Sequence, residues 1–387
     1  MLAYLPAEIT VLVTSVPQNP PPMPQPVHIR VLVPDNDNLQ YLAFWVAQGT
    51  GYFADEGVET EVIAPEIPAQ AIAKMIVGEE PVAVLPPPVY LQLIADKFPI
   101  ELVANILQND PINLVVRRRI FDERHMSATA PLHDRLLSLK GLRIGVAPGP
   151  PVRLRALFAS EGLAADAVVT IVVRRGKDQN EAFAHDECDA LYAHTPYVET
   201  ALDDEDAVLL VNQSAGDAPP LAMRQIHALV VRRDFLVAQR PVVVSMVRAI
   251  ARAEQLVHAD RAAAEEAVMR AIPSLDRRHL HTIVGLYQPA VPETPRVSTD
   301  GLGPALALFP ASRTAPRLDG IVLADFVAPG VLDEAMGSPT TVTPARLPAP
   351  AGASTTRVQG AIALGVAVAL ALALALWRRW RRRSAPA

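Results

Sequence analysis

Residues 28–63, HIRVLVPDNDNLQYLAFWVAQGTGYFADEGVETEVI, read as strand, helix, strand. HIRVLV (28–33) is a short apolar run of strand type that ends at Pro34. Over 39–54, Leu39, Leu42, Ala43, Val46 and Ala47 recur at helical spacing, and Gly49 and Gly51 close the helix. ETEVI (59–63) is a second strand. Further along, Ala69, Ile72, Ala73 and Ile76 mark one face of a helix over 68–77 that stops at Gly78, and PVAVL (81–85) is a third strand. A β-α-β-α-β order predicts a parallel sheet with helices on both faces.

The pattern then recurs. LKGLRIGVAPG (139–149) holds a turn, a strand (142–147) and another turn, followed by a helix over 151–162 and a strand over 168–173. A helix around 177–186 and a strand at 189–192 complete a second three-strand unit. HALVVR (227–232) is a later strand, and 241–271 is a long helical region rich in Ala, Arg and Glu that returns the chain to the first unit. Two units in 387 residues predict two α/β lobes. Ligands of open α/β sheets gather at the carboxyl ends of strands. With two lobes facing each other, that place is the cleft between them.

Composition narrows the class. Half the residues are hydrophobic, enough for a substantial core. A net charge of −6, with no basic block before the extreme C-terminus, argues against a nucleic-acid partner. The prolines cluster at 17–27 and 339–350, which read as extended linkers. Cys188 is alone, which excludes an intrachain disulfide and a Cys-rich zinc site. Its mid-chain position excludes a lipoprotein anchor.

VQGAIALGVAVALALALALW (358–377) has Gln359 as its only strongly polar side chain and is long enough to span a bilayer. Trp377 and Trp380 fall at the interface, and Arg378, Arg379, Arg381, Arg382 and Arg383 mark the cytoplasmic side. Everything before 358 is then expected outside. The opening MLAYLPAEITVLVTSV lacks a Lys or Arg before its apolar stretch, and Pro6 and Glu8 interrupt it. Export is therefore expected to rely on a start further upstream or on an unconventional route.

Four segments, taken in order, resemble the nitrate/sulfonate/taurine substrate-binding family, which also includes thiamine-pyrimidine precursor binders. They are LQYLAFWVAQGTGYFADEGVETEVI (39–63), LKGLRIGVAPG (139–149), CDALYAHTPYVETAL (188–202) and IHALVVRRDFL (226–236). The likeness covers about residues 28–336. It implies an α/β, bilobal periplasmic-binding-protein-like fold, with two parallel or mixed sheets flanked by helices, to which this chain adds one C-terminal transmembrane helix. It also implies an ABC permease and an ATPase as partners, and no cofactor. The domain plan is a Pro-rich segment (1–27), a first lobe (28–116), a second lobe (117–222) and a return to the first lobe with C-terminal helices (223–336). A Pro-rich linker (337–357), the membrane helix (358–377) and a basic cytoplasmic tail (378–387) complete it.

Candidate ligand contacts follow from position. Asn36, Asp37, Asn38 and Gln40 follow the first strand, where an Asx-rich turn capping the helix is the competing reading. Tyr41 and Trp45 lie one helical turn apart; of the two, Tyr41 is the candidate for stacking on a ligand, and core packing is the usual fate of such a pair. Pro86, Pro87 and Pro88 follow the third strand, with Pro87 taken as a cleft wall and Tyr90 beside them. Asn109 and Asp110 fall near the first crossing between lobes. Tyr192, His194, Thr195 and Tyr197 surround the end of a second-lobe strand. The resembling family often places Gly and Ser or Thr after the first strand of its second lobe, to receive an anionic group at a helix N-terminus. Here Pro148, Pro150 and Pro151 remove three N–H donors, and Arg153 is the residue that stands in by charge. Arg174 and Arg175 read as a solvated pair.

No G-x-S-x-G elbow, H-E-x-x-H or glycine-rich phosphate loop is present. His279 and His281 diverge on a helix and make a poor metal pair. The expected function is a membrane-tethered extracytoplasmic solute-binding protein without catalytic or metal residues. The alternatives are an enzyme on the same fold, as some menaquinone-pathway enzymes resemble it, and a sensory module that signals without transport.

Overall fold

The computed structural model describes residues 26–34, 39–64, 73–76, 78, 80–174, 176–301 and 322–337. Val27–Leu32 forms β1, and Leu39–Tyr41 makes a single 3-10 turn into the helix Leu42–Thr50. That helix ends where Gly51 takes a φ of 81° and its N–H reaches the carbonyls of Ala47 and Gln48. A second short helix, Tyr52–Asp55, follows, so the expected 39–54 element is really a turn and two helices. β2 (Val58–Ile63) and β3 (Val82–Leu85) flank β1, both parallel to it. Helix Pro87–Ala95 begins on Pro87, a position where a missing N–H costs nothing. β4 (Ile100–Asn105) then leads out of the sheet.

The chain crosses over residues 106–112 and enters a second sheet with β5 (Asn113–Arg117). β6 (Arg143–Val146), β7 (Thr170–Val173), β8 (Ala190–Ala193) and β9 (Ala207–Val211) complete it, in the order β7-β6-β8-β5-β9. A return crossing over 212–227 brings the chain back as β10 (Ala228–Arg232), which slots between β3 and β4 in the order β2-β1-β3-β10-β4. Both sheets fall within one compact unit, Met1–Pro344.

Each sheet is mixed for the same reason. β5 and β10 are the strands that arrive from the other lobe, and each runs antiparallel to both neighbours. A strand entering from the junction must start at the edge where its parallel neighbours end. That reversal governs which residues reach the cleft. The parallel βαβ reading therefore holds for β1–β3 and for β6–β8, and fails for the two crossing strands.

The long helical region divides at Asp260. Its backbone is extended (φ −147°), and its carboxylate accepts the N–H of Ala263, capping a new helix. Arg240–Ala259 and Arg261–Ala271 are consequently separate helices. Gly49 lets the second of these approach Leu42–Thr50 closely, since a Cβ there would stand 1.7 Å from the carbonyl oxygen of Ala267. The GYF…EG turn is fastened to the first. Glu56 pairs with Arg248 at 2.8 Å and Arg252 at 3.3 Å, and the Arg252 guanidinium lies 4.0 Å over the Tyr52 ring.

One apolar cluster runs from Phe44, Val46 and Val247 through Tyr287 into Phe183, Leu191 and Val198 of the second lobe. The two lobes therefore share packing on this side. Among the described residues no helix is long and apolar enough to cross a membrane, and 358–377 lies outside them.

Candidate functional site

Four routes of the chain meet at the lobe junction. After β1, Gln40 and Tyr41 are buried on the first lobe. The first crossing brings Asp110, which is 2% exposed. The second lobe supplies Arg153 from the first turn of helix Pro151–Ala159, and Tyr192, His194 and Thr195 from the end of β8. The return crossing adds Gln213 and His227.

Their contacts bind the two halves together. Asp110 Oδ1 accepts the Ile112 N–H at 3.0 Å and Arg153 Nη1 at 2.8 Å. Burial pushes the Asp110 carboxyl above its ordinary range, while Arg153, the Ile112 N–H and the nearby His194 pull it back. His227 Nε2 lies 2.8 Å from Gln40 Oε1, and the Tyr41 ring stands 4.9 Å from the imidazole. Burial holds His227 down at about 3, with Arg153 and His194 adding to the effect, so its ring is neutral. The Tyr192 phenol is raised well above its usual value by burial and by Asp110. His194 lies 5.4 Å from the Tyr197 ring.

Tyr287 closes the back of the site. Its hydroxyl donates to the Pro111 carbonyl at 2.8 Å and accepts the Thr195 N–H at 3.0 Å, joining the first crossing to the end of β8. Glu199 is packed nearby with no exposed surface, and burial drives its pKa up to about 8.

The structure thus brings Gln40, Tyr41, Arg153, Tyr192, His194 and Thr195 to one junction. Asn109 sits on the first crossing at φ 63°, and its side-chain amide donates to the Ser214 carbonyl at 3.2 Å, stitching the two crossings together. Pro87 is buried at the start of its helix, and the nearby Tyr90 hydroxyl donates to the Ile226 carbonyl at 2.9 Å. Asn36, Asp37 and Asn38 lie outside the described residues, as does Arg175. Trp45 is core, packed edge-on to Phe44 at 5.3 Å. Arg174 pairs with Glu187 on the surface. His279 and His281 turn to different partners, Asp204 and Glu265, and among the described residues no group of side chains is placed to hold a metal ion.

Two members of the cluster were not singled out from sequence. His227 precedes a strand, the end ordinarily remote from a ligand, and reaches the junction only because β10 runs antiparallel, with Ala228 opposite Leu85 at the end of β3. Gln213 follows β9, whose apolar run offers no alternation to mark it as a strand.

The sequence model of a family described as NMT1/THI5-like matches residues 38–264. Comparison with curated proteins by sequence finds no match. Among solved structures, the alkanesulfonate-binding protein SsuA from Xanthomonas axonopodis pv. citri, bound to MOPS, is similar with a TM-score of 0.55 and 18% identity, covering 79% of this chain and 99% of that one. The ligand-binding component of an ABC-type import system from Staphylococcus aureus gives a TM-score of 0.55 at 11% identity, covering 80% and 99%. The desulfurization enzyme DSZB gives 0.53 at 15%, covering 80% and 98%. At these identities the likeness is one of fold.

Proposed function

The chain belongs to the NMT1/THI5-like family, and on that premise we propose that it is the solute receptor of an ABC-type importer. It takes a small ligand between its lobes and offers the closed form to a permease driven by an ATPase. The observation that carries this reading is the polar cluster itself. Gln40 and Tyr41 come from the first lobe, Arg153, Tyr192 and His194 from the second, and Asp110 and His227 from the two crossings, so parting the lobes dismantles the cluster and closing them rebuilds it.

A shared fold does not decide between receptor and enzyme, since DSZB has it too. One observation favours binding over catalysis: the lone cysteine is not poised as a nucleophile. Cys188 is fully buried, and burial pushes its thiol up to about 11, far from a reactive thiolate.

In the same reading residues 358–377 tether the body to the outer face of the membrane. The support is the length and apolarity of that run, its flanking tryptophans and the arginines beyond it. Two measurements test the proposal. A ligand drawn from a panel of small sulfonates, nitrate and pyrimidines should raise the melting temperature and shrink the radius of gyration in solution scattering; silence across a broad metabolite library would refute the receptor role. Protease added to intact cells should remove the part ahead of residue 358, and its survival would refute the outward orientation.

A further inference from the structure

We propose that the chain carries a second ligand site, separate from the polar cluster at the junction, and that this site takes a small zwitterion such as a free α-amino acid. The inference concerns a different cavity and stands whether or not the junction cluster binds a solute.

A cleft of about 600 Å³ opens where the two crossings meet the segment that follows helix Arg277–Tyr287. That volume lies in the range of small-molecule sites. Asn105 and Gln108 line it from the end of β4 and the first crossing, Arg224 from the return crossing, and Glu293, Arg296 and Asp300 from the later segment. It shares no residue with the junction cluster. Its walls are joined to one another: the N–H groups of Asn105 and Gln108 donate to the carbonyls of Pro295 and Ala290, both at 2.8 Å, and the Ser298 N–H donates to Gln225 Oε1 at 3.3 Å.

The charges of the cleft single it out. Arg224, Glu293 and Asp300 are exposed and, among the described residues, none of them enters an ion pair, with one another or with any other side chain. A solute of one sign pairs with one wall and faces its like charge on another. A zwitterion meets both at once, its carboxylate on the planar fork of Arg224 and its ammonium on Glu293 and Asp300. Arg296 adds little, because it pairs with Asp333 at 3.4 Å and both side chains are exposed. Asn105 is 3% exposed, and its Nδ2 donates to the Arg224 carbonyl at 2.8 Å, while its Oδ1 meets no donor among the described residues. Buried acceptors are rarely left so, and a ligand ammonium is a donor of the kind it lacks.

The test is calorimetric titration of the full chain in detergent with L-glutamine, L-serine and glycylglycine. The controls are N-acetyl-L-glutamine, which lacks the ammonium, and L-glutaminamide, which lacks the carboxylate. The zwitterions are expected to bind at least about tenfold more tightly than either control. Arg224→Gln should lower the affinity for L-glutamine to that for its amide, and Glu293→Gln combined with Asp300→Asn should lower it to that for the N-acetyl form. All three side chains lie on the surface, so these variants should fold as the parent does. Hydrogen exchange gives an independent reading: the amides of 105–108 and 293–300 should exchange more slowly with L-glutamine present. Equal binding of zwitterions and controls, or binding that the variants leave unchanged, overturns the inference. Protection at the junction cluster instead would give the amino acid to that cluster and overturn it as well. Absence of binding also overturns it, and leaves the receptor reading to its own ligand panel.

Discussion

Glu199 has no exposed surface, and burial outweighs the hydrogen bonds from its own N–H and from Thr195, so its proton is held up to a pH of about 8. His227, equally sealed, stays unprotonated down to about 3. The two act on stability in opposite directions. Between 4.5 and about 8 the unfolded chain has released the Glu199 proton while the folded chain keeps it, so folding weakens as pH rises through that window. Between about 3 and 6.5 the unfolded chain has gained a proton on His227 that the folded chain refuses, so folding weakens as pH falls. Melts of Glu199→Gln against the parent should therefore diverge toward alkaline pH, with the variant gaining on the order of a few kcal/mol. A constant offset from pH 5 to 9 would refute this. Arg153 carries a second prediction. With it gone, the Asp110 carboxylate is left buried with only the Ile112 N–H, and Arg153→Met should cost about 3–5 kcal/mol in urea unfolding. Adding Asp110→Leu to Arg153→Met should recover a large part of that loss, because the double variant buries no charge.

At the scale of elements, the family segment 39–63 turns out to be mostly framework. Its aromatic helix is core, and its Glu56 grips Arg248 and Arg252 on the long helix Arg240–Ala259. Gly49 is there for proximity rather than for a turn, because it admits the backbone of Arg261–Ala271 at a distance no side chain tolerates. Arg270 reinforces the contact by donating to the Gly49 carbonyl at 2.8 Å. Gly49→Ala should gain helix propensity yet destabilise the protein by about 1–3 kcal/mol or more, since two helices must separate. Urea unfolding measures it, and an unchanged or raised midpoint would show that the helices can part at no cost. The break at Asp260 is the reverse case, a local effect. An extended residue with a carboxylate that caps Ala263 ends one helix and starts the next, whatever the amphipathic pattern on either side.

At the scale of the whole molecule, Tyr287 links the return helices to both the first crossing and the end of β8. Tyr287→Phe keeps the ring and loses both hydrogen bonds, which should cost about 1–3 kcal/mol. It should also leave the ligand-free protein more open in solution scattering; a scattering profile identical to the parent's would assign Tyr287 a packing role only. The element order β1 to β3 and β6 to β8, and with it the presence of two α/β lobes, was legible in the sequence, because helical and strand periodicities are local properties read over ten or so residues. So was the gathering of Gln40, Tyr41, Arg153, Tyr192 and His194, since each follows a readable strand at its carboxyl end or opens the helix after one. β4, β5 and β9 were not legible. IELVAN, NLVVR and AVLLV are short apolar runs without the alternation that would tell a strand from a buried helical segment. His227 and the partnerless oxygen of Asp110 belonged to the tertiary structure alone. Which end of a strand meets the cleft depends on the direction in which the chain re-enters a sheet, and whether an acceptor goes unmatched depends on what every neighbouring segment brings to it.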